Sequence, residues 1–189
     1  MHIAKFIRYL SANILSKGLS IILVSLVSFK IAPDQLAVYQ YYYFIVVLLI
    51  PILFISIWEG VFKELRANNE EISIIISSCN LLFLVMLFVW ILLFSAFSVL
   101  FQDIAPFIGT TIILGVSHCI LLYLHFYARG IGESEVYSQS LYLSSAVNVV
   151  IVFTALYVYE GEISALFNAQ ILANISGSLL IFRKIKQKI

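Results

Sequence analysis

The chain has 189 residues, of which 62% are hydrophobic, 15% aromatic and only 11% charged, with a net charge of +1. Soluble domains carry about 25% charged residues, so this composition leaves no room for a soluble catalytic domain. The apolar residues gather in six stretches of roughly 20 to 29 residues, against the ~20 that cross a bilayer core as a helix. The whole chain, 1–189, is therefore read as a single membrane domain.

The first predicted span covers 10–32, after Lys5 and Arg8. A basic start before an apolar run is also the pattern of a signal peptide. The run is too long for one, and no small-residue cleavage site follows, so it is read as a retained helix. Asn13, Lys17 and Ser20 share one face of it by i, i+4, i+7 spacing. Pro33 and Asp34 mark a turn that closes the span. The second span covers 41–62, with Tyr41, Tyr42 and Tyr43 as an interfacial belt at its outer mouth. Pro51 removes one backbone donor in mid-span and kinks the helix. A static bend and a hinge used in transport are both open. Ser56, Glu59 and Lys63 form the polar stripe of this span. Glu59 and Lys63 are ordered for an ion pair, and a cation- or proton-coupling role for Glu59 is the second reading.

The third span, 72–100, is longer than a bilayer needs, so it tilts or begins in the interface. It carries Ser73, Ser77 and Asn80. The fourth, 104–128, carries His118 and His125 on one side. Without a carboxylate beside them they make a weak metal site, and a packed, hydrogen-bonded role is the preferred reading. Arg129, Gly130 and Gly132 end that helix. The fifth span, 138–158, has Ser140, Ser144 and Asn148, and the sixth, 163–182, has Gln170, Asn174 and Ser178. Cys79 and Cys119 lie within spans and read as small apolar filler. Asn174-Ile175-Ser176 matches a glycosylation acceptor but sits inside a span, where it is discounted.

Continuous apolar runs exclude a β-barrel, whose strands alternate in polarity. The fold class is all-α, a polytopic membrane protein of six transmembrane helices. Every Lys and Arg except Lys30 falls on one side of the membrane, while Asp34, Asp103, Glu160 and Glu162 fall on the other. The positive-inside rule then places both termini in the cytoplasm, as an even span count also requires. A charged side chain at a helix centre costs about 2.5–3.5 kcal/mol on insertion scales. The polar stripes are accordingly read as lining a vestibule that opens inward. For Lys17 a cavity role and snorkelling to the interface are both open. No nucleophile elbow, phosphate loop or zinc signature appears, so no enzyme activity, cofactor or metal is expected. The basic tail from Arg183 to Lys188 is a topology signal or an anionic-lipid contact, not a nucleic-acid arm.

Four segments and one glycine carry a family resemblance. The first loop reads Ala32-Pro33-Asp34-Gln35-Leu36-Ala37-Val38-Tyr39, and the second span ends in Phe62-Lys63-Glu64-Leu65-Arg66. After the fourth span comes Ala128-Arg129-Gly130-Ile131-Gly132; Asn148–Ile151, with Gly161 and the polar-apolar helix after it, fits the fifth and sixth helices. Together they resemble the amino-terminal six-helix half of the O-antigen-type polysaccharide flippases, in the multidrug/oligosaccharidyl-lipid/polysaccharide exporter superfamily. Two loop glycines of the family are replaced, by Ala32 and Ala37. The family also has two bundles, and this chain supplies one. It is then a natural fragment, a split product or a half-size protein that pairs with a second half or with itself.

The resemblance implies passage of an isoprenoid-diphosphate-linked oligosaccharide across the bacterial inner membrane, in the making of lipopolysaccharide O-antigen or another surface polysaccharide. The implied partners are that glycan, membrane lipid and the missing half; nucleic acid is not among them. Lys17 and Arg129 would offer cations to the diphosphate, and Asn13, Asn80, Asn148 and Asn174 would offer partners to the sugar. Glu59 would be the coupling group. Two further readings stand beside this one, the permease of an ATPase-driven glycan exporter and a nonfunctional truncated flippase.

Overall fold

In hydrocarbon a backbone N–H has no partner but its own chain, so long apolar segments must coil. In the computed structural model, which describes residues 2–67, 72–100, 107–159 and 162–186, the regular structure is all helical. The helices are α1 (His2–Ser28), α2 (Pro33–Leu53), α3 (Ile57–Ala67), α4 (Ile72–Leu100), α5 (Ile108–Gly130), α6 (Ser134–Phe153) and α7 (Ser164–Lys186). A π-helical turn, Thr154–Val158, extends α6. Six segments are long and apolar enough to span: Leu10–Ser28, Pro33–Leu53, Ile76–Leu100, Ile108–Gly130, Ser134–Val158 and Ser164–Lys186. By helix length and hydropathy this is a multi-pass membrane protein.

The second predicted span is displaced. Pro33 does not close the first helix but opens α2, at a first-turn position where its missing N–H costs nothing, and Asp34 complements the positive end of the helix. Tyr41, Tyr42 and Tyr43 therefore lie about 12–15 Å into α2 at 1.5 Å per residue, not at its mouth. Nor is Pro51 merely a kink. It denies a donor to the Val47 carbonyl, and α2 stops two residues later. Ser56 N–H reaches back to the Pro51 carbonyl at 3.3 Å, and Ile55 and Ser56 both take φ +49°. A non-glycine residue in that region costs about 1–2 kcal/mol. The helix restarts as α3 because the sequence changes character there. Ile57, Trp58 and Val61 are buried, while Glu59, Lys63 and Arg66 are exposed.

Helix α4 has the predicted bounds, and α5, α6 and α7 differ from theirs by a few residues. Gly132 has φ +82°, the left-handed residue that ends the turn after α5. Asp103, Glu160, Gly161 and Lys188, and the side chains of Lys5, Arg8 and Ser73, lie outside the described structure.

The helices form two compact units, Met1–Tyr41 with Gly132–Ile189, and Tyr42–Ile131. In the first, α6 packs against both α1 and α7. Its core is Val27, Ile31, Val152, Leu156, Leu166 and Ala169. Tyr157 closes one end of this unit: its hydroxyl donates to the Leu26 carbonyl at 3.0 Å, and Lys30 Nζ lies 5.0 Å over its ring. In the second unit α3, α4 and α5 pack on one another through an aromatic core. Phe54 meets Trp58 and Phe83, Phe83 stacks on Tyr123, and Trp58 and Phe62 meet Phe126. Trp90 lies against Gly115, where a Cβ would collide with the indole.

Candidate functional site

Hydroxyl and amide side chains fare differently in these spans. Ser20, Ser25, Ser28, Ser78, Thr111, Ser138, Thr154 and Ser178 each donate to the carbonyl four residues back in their own helix. Ser117, Ser144 and Ser176 donate three residues back. Such hydroxyls are satisfied locally and do not require a wet cavity. The amides Asn80, Asn148, Gln170 and Asn174 instead bond to other side chains and mark the polar contacts between turns and helices.

The first unit holds the longest amide run. Asn148 Nδ2 on α6 donates to Gln170 Oε1 on α7 at 2.8 Å, and Gln170 Nε2 donates to Asn174 Oδ1 at 3.0 Å. Asn174 is buried and Asn148 half-buried. Asn148 Oδ1 is itself buried and accepts no hydrogen bond among the described residues. A buried orphan acceptor costs about 1–3 kcal/mol. Asn148 lines a small cavity of about 50 Å³. Around this run the helices are tied by Ser16 Oγ to Ser145 Oγ at 2.6 Å, by Ser140 Oγ donating to the Gly177 carbonyl at 3.0 Å, and by Lys184 Nζ donating to Gln139 Oε1. Asn13 is half-buried on α1, and Lys17 is exposed there.

The second unit gathers cations on aromatic rings. Arg66 lies 4.9 Å over the Phe62 ring, and Arg129 lies 5.1 Å over the same ring and 5.1 Å over Phe126. Each contact contributes about 0.5–2 kcal/mol, depending on desolvation. The guanidiniums can be no more than about 10 Å apart, where two unit charges repel by roughly 1.7 kcal/mol at an effective dielectric of 20. Phe62 thus holds two like charges together. Gly130 makes this geometry possible, because a Cβ there would lie 2.7 Å from Leu65 Cδ1 and keep α3 off α5. One face over, Tyr123 OH donates to Asn80 Oδ1. Glu59 and Lys63 are exposed on α3, and among the described residues no ion pair joins them. His125 is buried and His118 half-buried, in keeping with a packed role. Cys79 and Cys119 are free thiols. Among the described residues no group of three or more His, Cys, Asp or Glu could hold a metal ion.

Compared with protein-family models, curated proteins and solved structures, the chain finds no match. The family resemblance therefore rests on the quoted segments alone.

Of the predicted site residues, Asn148 and Asn174 are joined through Gln170, Asn80 is paired with Tyr123, and Arg129 sits in the arginine–aromatic cluster. Asn13, Lys17 and Glu59 belong to none of these groups. Phe62 and Phe126 were missed as site residues. Their signal was present in the sequence: Phe62 precedes Arg66 by four residues and Phe126 precedes Arg129 by three, spacings that place ring and cation on one helix face.

Proposed function

We propose that the chain is one half-bundle of a flippase that carries an isoprenoid-diphosphate-linked oligosaccharide between leaflets, working with a second six-helix half or a second copy of itself. The observation that carries this reading is the pair of guanidiniums held on Phe62. Arg129 lies in the last turn of α5. Its 23 residues measure about 34 Å at 1.5 Å per residue, close to the ~30 Å of a bilayer core. That length supports a position for the cluster near the lipid phosphates. Guanidinium groups bind phosphate oxygens through paired, charge-assisted N–H donors. A cation pair fixed at this level suits capture of a diphosphate headgroup, and the positive-inside pattern makes it the cytoplasmic level. Asn80 and Asn13 are the candidate sugar contacts, Lys17 a further cation, and Glu59 the candidate coupling group. The reaction is movement, not bond making, so the chain acts as a carrier in the bacterial inner membrane, with both termini cytoplasmic.

The test is translocation of a fluorescent isoprenoid-diphosphate oligosaccharide in proteoliposomes that hold the chain with its partner half. Arg129→Ala and Arg66→Ala together should lower the rate at least tenfold, while Arg66→Lys with Arg129→Lys keeps part of it. Unchanged flipping by the double alanine variant would defeat the assignment. A nucleotide-binding subunit that co-purifies, with ATP-dependent movement, would favour the permease reading instead.

A further inference from the structure

The amide run in the first unit has a direction. Asn148 donates to Gln170, which donates to Asn174. At its head stands Asn148 Oδ1, a buried acceptor to which nothing described donates. The cavity that Asn148 lines has walls from four helices: Val27 of α1, Leu36 and Gln40 of α2, Val152 of α6 and Leu166 of α7. Most of this lining is apolar. The polar residues of the lining are Asn148, Gln40 and Tyr39.

Three properties of the site select its occupant. Its volume is about 50 Å³, and a void needs only about 10–15 Å³ on this measure to admit one water. A sugar ring is far too large for it. Its polar side chains, Asn148, Gln40 and Tyr39, are uncharged at neutral pH, so a bare cation would lack an anionic ligand. The third property is orientation. The oxygen and nitrogen of an amide are nearly the same size, and the whole run could reverse, leaving Asn148 Nδ2 at the head. Water alone suits both cases, because it can donate to the oxygen or accept from the nitrogen.

We propose that this cavity is a hydration site within the membrane span, holding an ordered water that binds the Asn148 amide and takes the Gln40 amide as its second polar partner. Gln40 lies seven residues after Pro33, roughly 10 Å along α2 at 1.5 Å per residue. The water is thus held at a depth where the bilayer supplies none. It completes the amide run, which becomes a continuous polarised chain from the cavity into α7. This proposal concerns the first unit alone and does not depend on the cargo.

The experiment is water-edited solid-state NMR on the full chain, with labelled Asn and Gln, in bilayers. Polarisation should pass from water to the Asn148 side-chain amide at least threefold faster than to that of Asn174. A build-up at Asn148 as slow as at Asn174 would show a dry cavity and overturn the proposal. Val152→Phe, which adds bulk to the wall, should abolish the fast build-up while other labelled amides keep theirs. Fast transfer that survived with the Asn148 shift moved would mean that the water lies elsewhere. If Val152→Phe fails to fold, Leu36→Phe closes the void from the opposite wall with the same readings. An Asn148 carbonyl shift that followed replacement of sodium by choline would assign the site to a cation and refute the water.

Discussion

Replacing Gly115 by Ala should destabilise the second unit, although the same change in an isolated helix stabilises by about 1 kcal/mol. The reason is Trp90. A Cβ on Gly115 would lie 2.6 Å from the indole nitrogen and nearer still to two ring carbons. The ring has little freedom to retreat. It is 0% exposed, its nitrogen donates to the Ile112 carbonyl at 3.3 Å, and the Phe94 ring lies 4.3 Å away. Overpacking of this kind costs about 1–3 kcal/mol, and a rigid bicyclic neighbour puts it in the upper part of that range. Subtracting the helix gain leaves a net loss of about 1–2 kcal/mol. The assay is unfolding of the full chain in bicelles by titration with a denaturing detergent, followed by far-UV circular dichroism. Trp90→Leu supplies the control background: with the obstacle gone, Gly115→Ala should become neutral or favourable by up to about 1 kcal/mol. The reasoning is refuted if Gly115→Ala is as stable as wild type while Trp90 is present, or if it costs the same in both backgrounds.

Ile55→Gly should raise stability by about 1 kcal/mol, since glycine takes φ +49° without the steric cost that isoleucine bears, whereas Ile55→Ala should gain little; the same detergent titration reads both, and a loss with glycine would place Ile55 outside the left-handed region. A double-mutant cycle between Phe62→Leu and Arg129→Gln should give a coupling of about 0.5–2 kcal/mol; additive losses would mean that the ring does not hold the guanidinium. Gln170→Leu orphans the Asn148 donor and should cost about 1–3 kcal/mol, and adding Asn148→Leu should recover part of that loss; a double variant as costly as the sum would dissolve the amide run as a unit.

The membrane spans were legible because hydropathy is additive along the chain. Helix α4 illustrates it: a run without a charge from Ile72 to Leu100 has no other way to satisfy its backbone. The break after α2 was not legible in that sum. A window across 41–62 averages a uniformly apolar half with an amphipathic half, and only the pattern of Ile57, Trp58 and Val61 against Glu59, Lys63 and Arg66 separates them. Pro33 was misplaced because proline marks helix starts as readily as turns. Asn148, Gln170 and Asn174 could be assigned to helix faces by spacing. The bond from Asn148 to Gln170 could not, since it joins residues 22 apart on different helices. Most of the serines misled in the opposite direction: their regular spacing suggested a lined cavity, while hydroxyls such as those of Ser20, Ser144 and Ser178 bind the turn beneath them.

The first unit is assembled from the two ends of its chain, and that imposes an order on biosynthesis. Helix α1 leaves the ribosome long before α6, because Ser16 and its partner Ser145 are 129 residues apart. At ordinary elongation rates that interval is roughly 6 to 26 s. Throughout it the seryl face of α1 must wait in the insertion machinery or among lipids without its mate, while α3 to α5 are threaded and can already close on one another. The nascent protein would thus mature from its middle outward, and a stall before α6 emerges would strand α1 in the bilayer as a substrate for membrane proteolysis.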